Sequence, residues 1–193
     1  MNELKRYCPI CGKELTEKAD HVKKYFIYVC EDCNYSLANS RIIDISFKAK
    51  GLAKALSNLC PYPFEFDGIK CSSMEAFLQS LKTKEPDVQQ DICSKPASFC
   101  YKLRPMYNDW RKDQTLYWKG VPIDRHSKDY FLLLTNAYEA LLDQSPLFRY
   151  ALMKAKNNRY ILEHSIGCTE VTETILTPNE FMAILDHLIK ECL

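Results

Sequence analysis

Four cysteines near the N-terminus have the spacing of a metal site. Cys8 and Cys11 form one C-x-x-C pair, and Cys30 and Cys33 form a second. Each pair can direct two thiolates at one ion from a tight turn, so the two pairs supply four sulfur ligands. Such a shell is closed, and the expected cofactor is therefore one structural Zn²⁺. The alternatives are four unrelated buried thiols or two redox-active dithiols, and the paired spacing favours zinc.

A second group of reactive side chains lies on one predicted helix, which is expected over residues 73–84 with Ser72 and Glu75 as a capping box. Glu75, Gln79 and Lys82 recur at helical spacing, apart from the apolar stripe of the same helix. A carboxylate, an amide and an amine in line are capable of acid–base and nucleophilic chemistry. The same pattern is also typical of an ordinary solvated helix face.

Composition excludes several classes of protein. The 193 residues include 26 Lys and Arg against 25 Asp and Glu, so no strong net field attracts nucleic acid or an anionic membrane. No apolar run is long enough to span a bilayer, and the first residues lack the apolar core of a secretory signal. We therefore expect a cytoplasmic protein with no membrane partner, in which the ten cysteines are reduced.

The element pattern predicts two domains. Residues 1–40 are expected to form a small β zinc ribbon, with a β-prone segment at 25–29 and with Gly12 and Asn34 at positive φ in the two cysteine turns. Residues 41–193 are expected to form a mainly α domain with a few short strands. Later helices are predicted at 87–93, 127–143, 146–156 and 178–191, and short strands at 41–47 and 160–163.

The predicted ribbon carries as many acidic as basic residues, so it does not offer a phosphate-binding surface. About forty residues bury little core, and the metal is therefore expected to fold them. A stabilising role or the docking of a protein partner is the default expectation, and contact with nucleic acid is the minority one.

Residues 56–82 contain four short motifs in a fixed order: L-S-N-L at 56–59, P-x-P-F at 61–64, D-G-I at 67–69 and S-x-E-x-x-x-Q-x-x-K at 73–82. In order and spacing they resemble the signature that opens domains of the NADAR (YbiA-like) family. Further similar stretches lie at 116–120, 124–127, 163–167 and 173–177. The similarity extends from residue 46 to the C-terminus, and it implies a YbiA-like helical domain.

The resemblance implies an N-glycosidase, a hydrolase of the C1–N bond between a base or aminopyrimidine and ribose phosphate. Of the reactions that the resemblance implies, removal of ADP-ribose from guanine in DNA or RNA is favoured over cleavage of a ribosylamine of riboflavin synthesis. The resemblance also implies that Lys82 traps the opened sugar as a Schiff base and that Glu75 is the acid/base. It implies no catalytic metal. An amine nucleophile must be neutral, and Lys82 is therefore expected to be desolvated or placed near other cations.

The resemblance also implies substrate-binding roles. Asn58 and Gln79 are expected to orient the ribose or base, Trp118 to stack on the base, and Arg125 to bind the phosphates. Each has a plainer alternative: Asn58 as a turn residue, Trp118 as core, and Arg125 as a surface ion pair. His126 and His164 are interpreted as structural donors rather than bases.

The sequence departs from the family pattern late in the chain, where many members have a D-x-x-W-G motif. It has T-E-V-T-E at 169–173 and no tryptophan after Trp118. Glu170 or Glu173 is expected to supply the missing carboxylate. Two rival hypotheses remain: a non-catalytic module that binds ADP-ribose or an NAD-derived nucleotide, and an interaction protein whose helical part is only a scaffold.

Overall fold

The computed structural model describes residues 6–20, 25–39, 42–103 and 106–193. The N-terminal part of these residues is a three-stranded antiparallel sheet, β1 (Thr16–Asp20), β2 (Tyr25–Cys30) and β3 (Tyr35–Asn39), in that order. Gly12 and Asn34 both have positive φ, as predicted for the two cysteine turns. The predicted domain boundary between residues 40 and 41 lies outside the described residues.

Three small sheets lie in the rest of the described chain. β4 (Ile42–Asp44) pairs in parallel with β9 (Ile161–Glu163), which joins the start of this region to a point near its end. β5 (Phe64–Phe66) and β6 (Ile69–Cys71) form one antiparallel hairpin, and β7 (Thr115–Trp118) and β8 (Val121–Asp124) form another. Each hairpin turns through two residues, the second a glycine, and both of those residues have positive φ.

The remaining regular structure is helical. The α-helices are α1 (Gly51–Ala55), α2 (Met74–Ser80), α3 (Pro86–Ser94), α4 (Ala97–Lys102), α5 (Trp110–Asp113), α6 (Lys128–Gln144), α7 (Pro146–Asn157) and α8 (Pro178–His187). A 3₁₀ turn, Val171–Glu173, precedes α8, and a π-helical turn, Leu188–Cys192, follows it. The described residues thus form a mixed structure with more helix than strand, which agrees in part with the predicted mainly α fold.

The core is built around α6, which packs against α7, α8, β5 and β8. Large side chains such as Tyr130, Tyr138, Phe77 and Phe181 are fully buried there. The helix α2 packs against α3, α4 and β6, and all seven of its residues are buried. Among the described helices, none combines the length and apolarity that a membrane span requires.

The predicted bounds of α3, α6 and α7 agree with the structure to within one residue at each end. Ser127 caps α6 and Ser145 caps α7 through their hydroxyls, while Thr177 and Glu180 form the predicted capping box of α8. The last predicted helix, 178–191, changes to π winding after His187. The short helices α1, α4 and α5 were missed because four to six residues do not show a clear period.

The predicted capping box of α2 is wrong. Ser73 is the N-cap, since its Oγ accepts a hydrogen bond from the Ala76 N–H at 3.2 Å. The Ser72 hydroxyl instead donates to the Lys95 carbonyl between α3 and α4. Packing against that junction therefore decided which of two adjacent serines became the cap.

Candidate functional site

The four N-terminal cysteines converge on one point. The Sγ atoms of Cys8, Cys11, Cys30 and Cys33 all lie within 4.8 Å of one another, and the distance from Cys11 Sγ to Cys30 Sγ is 3.6 Å. The first pair belongs to the turn closed by the Gly12 N–H, which donates to the Cys8 carbonyl at 2.9 Å. The second pair belongs to the turn between β2 and β3. Four thiols at this separation fit a single metal ion.

This cysteine cluster is also the centre of a small apolar core. Cys8 and Cys30 are buried together with Leu15 and Tyr28, and Ile161 of β9 packs against them. The cluster therefore contacts the helical region through the strand that pairs with β4. A metal bound there would hold together a sheet that has little other core.

The polar side chains of α2 point into protein rather than into solvent. Glu75 is 2% exposed and Gln79 is 3% exposed. The Gln79 Nε2 donates to Glu75 Oε1 at 3.1 Å, and the Glu75 backbone N–H donates to the Asn58 carbonyl at 3.0 Å. The alternative of a solvated helix face is thus wrong for these two residues, because every residue of α2 is buried.

Tyr138 of α6 completes this group, which we call the Glu75 cluster: Asn58, Glu75, Gln79 and Tyr138. The Tyr138 hydroxyl donates to Asn58 Oδ1 at 2.7 Å. Burial raises the pKa of Tyr138 well above its usual value, and the nearby Glu75 charge raises it further. Sequence reasoning missed Tyr138, whose one available signal was a hydroxyl on an otherwise apolar helix face.

One acceptor of the Glu75 cluster lacks a protein donor. Among the described residues, no group donates to Gln79 Oε1, although the atom is buried. Its orientation follows from chemistry, because the amide NH₂ must face the acceptor-only carboxylate of Glu75. An unsatisfied buried acceptor costs about 1–3 kcal/mol, so the atom marks a place where a bound molecule can donate.

Lys82 lies just beyond α2 rather than on it. The helix was predicted to continue to residue 84 but ends at Ser80. The Ser80 hydroxyl donates to the Phe77 carbonyl at 2.7 Å, and the Leu81 carbonyl accepts from the Tyr117 N–H of β7 at 2.8 Å. These bonds replace the continuing helical ladder. Lys82 is half-buried in the turn that follows.

Trp118 has partners within the protein. Its ring is 5% exposed and packs against Phe66 and Phe77, with ring centroids 5.7 and 5.1 Å away. The indole N–H donates to Asp67 Oδ2 at 3.1 Å, which links the β5–β6 and β7–β8 hairpins. This arrangement favours the packing alternative over base stacking.

Arg125 is buried and forms an ion pair with the partly buried Glu180. The side chain is 2% exposed, and its two terminal nitrogens donate to the Glu180 carboxylate at 2.8 and 2.7 Å. Its Nε donates to the Thr174 carbonyl at 2.9 Å. Burial opposes ionisation of Glu180, but the hydrogen bonds from Arg125 and the Thr177 backbone outweigh it and lower the pKa of Glu180. The guanidinium therefore clamps α8 to the segment before it.

The two late glutamates are on the surface. Glu170 and Glu173 are exposed, and Glu173 Oε2 lies 3.4 Å from a guanidinium nitrogen of Arg111. They flank and end the 3₁₀ turn, whereas Glu75 and Gln79 are buried in the core. The structure therefore brings Asn58, Glu75 and Gln79 together and leaves Trp118, Arg125, Glu170 and Glu173 with other surroundings.

A groove of about 780 Å³ runs along the start of α6. Its lining includes Arg125, His126, Tyr130, Thr135 and His187. The sequence interpretation treated His126 as structural, and the side chain is exposed at this groove. Sequence reasoning did not predict the groove, because its walls come from α6, α8 and the 3₁₀ turn together.

The fold and these clusters define a protein of mixed helices and small sheets with an N-terminal four-cysteine cluster. The sequence pattern of the bacteriophage protein GP30.3 family matches residues 50–190, and the chain belongs to that family. It is 38% identical over 136 residues to the "Uncharacterized 17.1 kDa protein in Gp30-rIII intergenic region" of Enterobacteria phage T4. That alignment covers 69% of this chain and 88% of the relative. No solved structure matches the chain.

The assignment to the NADAR family was wrong. The family found is that of GP30.3, and it spans the same residues that carried the resemblance. Short motifs such as S-x-E-x-x-x-Q-x-x-K place few constraints on the residues between them, so a match to them does not identify a family. The resemblance therefore no longer supports the description of the chain as a hydrolase or glycosidase.

Replacing Arg125 by Met will destabilise the protein by about 1.5–3 kcal/mol, because the partly buried Glu180 carboxylate, 23% exposed, loses its charge-assisted hydrogen bonds. Replacing Arg111 by Met removes the exposed pair with Glu173 and will cost about 1 kcal/mol or less. Urea unfolding of both variants measures the difference. Equal losses of unfolding free energy in the two variants would show that the Arg125–Glu180 pair contributes no more than an exposed pair.

Stability will also decline in acid because of Glu180. A lowered pKa means that the ion pair stabilises the fold above the ordinary Glu pKa of roughly 4.3 and is lost as the pH falls through the lower folded value. Urea unfolding from about pH 7 to about pH 3 will show a smaller pH dependence in Glu180→Gln than in the wild type. Glu173→Gln, at an exposed carboxylate, is the control and should keep the wild-type slope.

Proposed function

We propose that the Glu75 cluster is the functional centre of the protein, where a polar ligand binds and undergoes acid–base chemistry. The observation that carries this proposal is the buried Gln79 Oε1, which lacks a donor beside the buried carboxylate of Glu75. A ligand hydroxyl or N–H group would satisfy that oxygen. Other buried atoms of the described residues, such as Gln89 Oε1 and Trp110 Nε1, share this lack of a partner, and Gln79 Oε1 is singled out because it belongs to a side chain hydrogen-bonded to the buried carboxylate of Glu75.

The chemistry proposed for this centre uses Glu75 and Lys82. Glu75 would move a proton to or from the reacting group, with Asn58, Gln79 and Tyr138 holding the carboxylate and ligand in place. Lys82 is half-buried and follows α2 within one turn, a position from which a neutral amine could act as nucleophile. This division of roles extends the prediction from the sequence, and Tyr138 is added by the structure.

The specific reaction we propose to test is cleavage of the C1–N bond between a base and ribose phosphate. In its protonated form Glu75 would give a proton to the departing nitrogen, and the carboxylate that remains would stabilise the cationic sugar. The neutral Lys82 amine would bond to C1, and the bond between C1 and the ring oxygen would then break, with one amine proton passing to that oxygen and the other to the Glu75 carboxylate. Water would later hydrolyse the imine to free the sugar and restore the amine. ADP-ribosylated guanine in DNA or RNA is the first substrate to test.

We also propose that the four N-terminal cysteines hold one structural Zn²⁺ and form a zinc ribbon. The support is the mutual approach of four sulfurs within 4.8 Å, a donor set that zinc prefers and that leaves no position for water. The ion would fold the β1–β3 sheet and hold it against β9, so that the module stabilises the helical domain or docks a protein partner.

Mass spectrometry after incubation with an ADP-ribosylated guanine oligonucleotide tests the reaction. Wild type will release ADP-ribose, and both Glu75→Gln and Lys82→Ala will lower the rate by at least about 100-fold. Lys84→Ala, at an exposed neighbouring lysine, is the matched control and should keep wild-type activity. Tight binding of ADP-ribose without release would replace the enzyme proposal with a non-catalytic nucleotide-binding role. Neither release nor binding would remove ADP-ribose from consideration.

Removing zinc will unfold the N-terminal sheet selectively. Chelation at neutral pH should broaden or shift the amide NMR signals of residues 6–39, while signals from α6, α7 and α8 stay in place. Adding back Zn²⁺ will restore the spectrum and adding Mg²⁺ will not, because Mg²⁺ prefers oxygen ligands. An unchanged spectrum in a protein shown to be metal-free would contradict the structural role.

A further inference from the structure

Three side chains with metal-binding atoms meet near the C-terminus, away from the cysteine cluster. Glu139 lies on α6, His187 is the last residue of α8, and Cys192 ends the π-helical turn. Their ligand atoms all lie within 4.8 Å of one another. His187 Nε2 is 2.8 Å from Glu139 Oε1, and Cys192 Sγ is 3.8 Å from the same oxygen.

The π-helical turn is what brings His187 and Cys192 to one side. In an α-helix, residues five apart lie about 140° apart around the axis and face different directions. In a π-helix the i→i+5 hydrogen bond widens the turn, so residues five apart approach each other. The turn from Leu188 to Cys192 has this winding. Wide turns of this type occur frequently at functional sites.

The spacing of the three side chains suits a tetrahedral ion. Zinc binds His nitrogen, carboxylate oxygen and thiolate sulfur at about 2.0–2.3 Å, which places neighbouring ligand atoms about 3.3–3.8 Å apart. The sulfur–oxygen distance here agrees with that range, and the nitrogen–oxygen distance is shorter, as expected for a direct hydrogen bond. A plain His187–Glu139 ion pair, at 39% exposure of both side chains, would contribute little and would need no thiol beside it.

We propose that Glu139, His187 and Cys192 bind a divalent transition-metal ion, Zn²⁺ in the first instance, at a site separate from the four cysteines. Mixed nitrogen, oxygen and sulfur ligands favour zinc over Mg²⁺ or Ca²⁺. Three protein ligands leave one coordination position for an exchangeable ligand, whereas four cysteines leave none.

The site adjoins the groove along α6. His187 belongs to the lining of that groove, and Glu139 follows the lining residue Thr135 by one helical turn. A molecule in the groove therefore lies beside the metal and can supply the fourth ligand in place of water. This inference is independent of the function proposed for the Glu75 cluster, with which the three residues share no member.

Zinc stoichiometry of the full chain tests the proposal. Protein stripped by a chelator and titrated with Zn²⁺ against a chromophoric competitor is expected to bind two equivalents. His187→Ala and Cys192→Ser should each bind one. Matched controls are His126→Ala and Cys168→Ser, which change the same residue types at exposed positions outside the site and should still bind two.

The number of zinc equivalents bound by wild type and by the variants shows which of the two proposed metal sites is occupied. One equivalent in wild type that is lost in Cys192→Ser would support the C-terminal site and contradict the cysteine cluster. One equivalent that survives in both His187→Ala and Cys192→Ser would overturn the C-terminal site. If the variants fail to fold by circular dichroism, the anomalous scattering of zinc-loaded wild-type crystals decides. A peak among Glu139, His187 and Cys192 supports the proposal, and a peak only at the cysteine cluster overturns it.

Discussion

Burial of α2 on every side is the constraint on which the candidate site depends. A helix with a carboxylate at position 75 and an amide at position 79 would ordinarily turn that face to water. Here α3, α4 and β6 pack around it, so Glu75 and Gln79 must find partners inside the protein. The Gln79 amide donates a hydrogen bond to the Glu75 carboxylate, and the Tyr138 hydroxyl donates one to Asn58. Because burial excludes water from this region, Gln79 Oε1 is left without a donor among the described residues, and a ligand could supply one.

The surroundings of α2 are held by polar contacts that act as clamps between elements far apart in the sequence. Trp118 and Asp67 tie two hairpins together beside Phe77 of α2. Arg125 and Glu180 tie the end of β8 to the start of α8 in a pair whose charges are largely removed from water. Such pairs are costly to break and specify how the elements fit. Trp118 and Arg125, which were expected to bind a base and phosphates, thus stabilise the fold that encloses the Glu75 cluster.

Membership in the GP30.3 family changes the meaning of the motif evidence. The motifs of residues 56–82 are real features, and the structure uses them: the hairpin turn at Asp67 and Gly68, the cap at Ser73 and the polar pair on α2. Hairpins and helix starts favour the same residue types in many folds, so motifs of this kind do not by themselves identify a family. The chemistry of the buried cluster therefore has to be argued from its own geometry, and the metal sites from their own donor atoms.

Local sequence determined the cysteine cluster and the starts of the long helices. Paired cysteine spacing led to the cluster of four thiols, and Ser127, Ser145 and Thr177 mark the starts of α6, α7 and α8, because turns and caps depend on neighbouring residues. Tertiary structure alone decided the burial of Glu75 and Gln79, the end of α2 at Ser80 and the convergence of Glu139, His187 and Cys192. These features depend on which elements pack together. A helical period shows which residues share a face, but only the packed fold shows whether that face meets water, a β-strand or another helix.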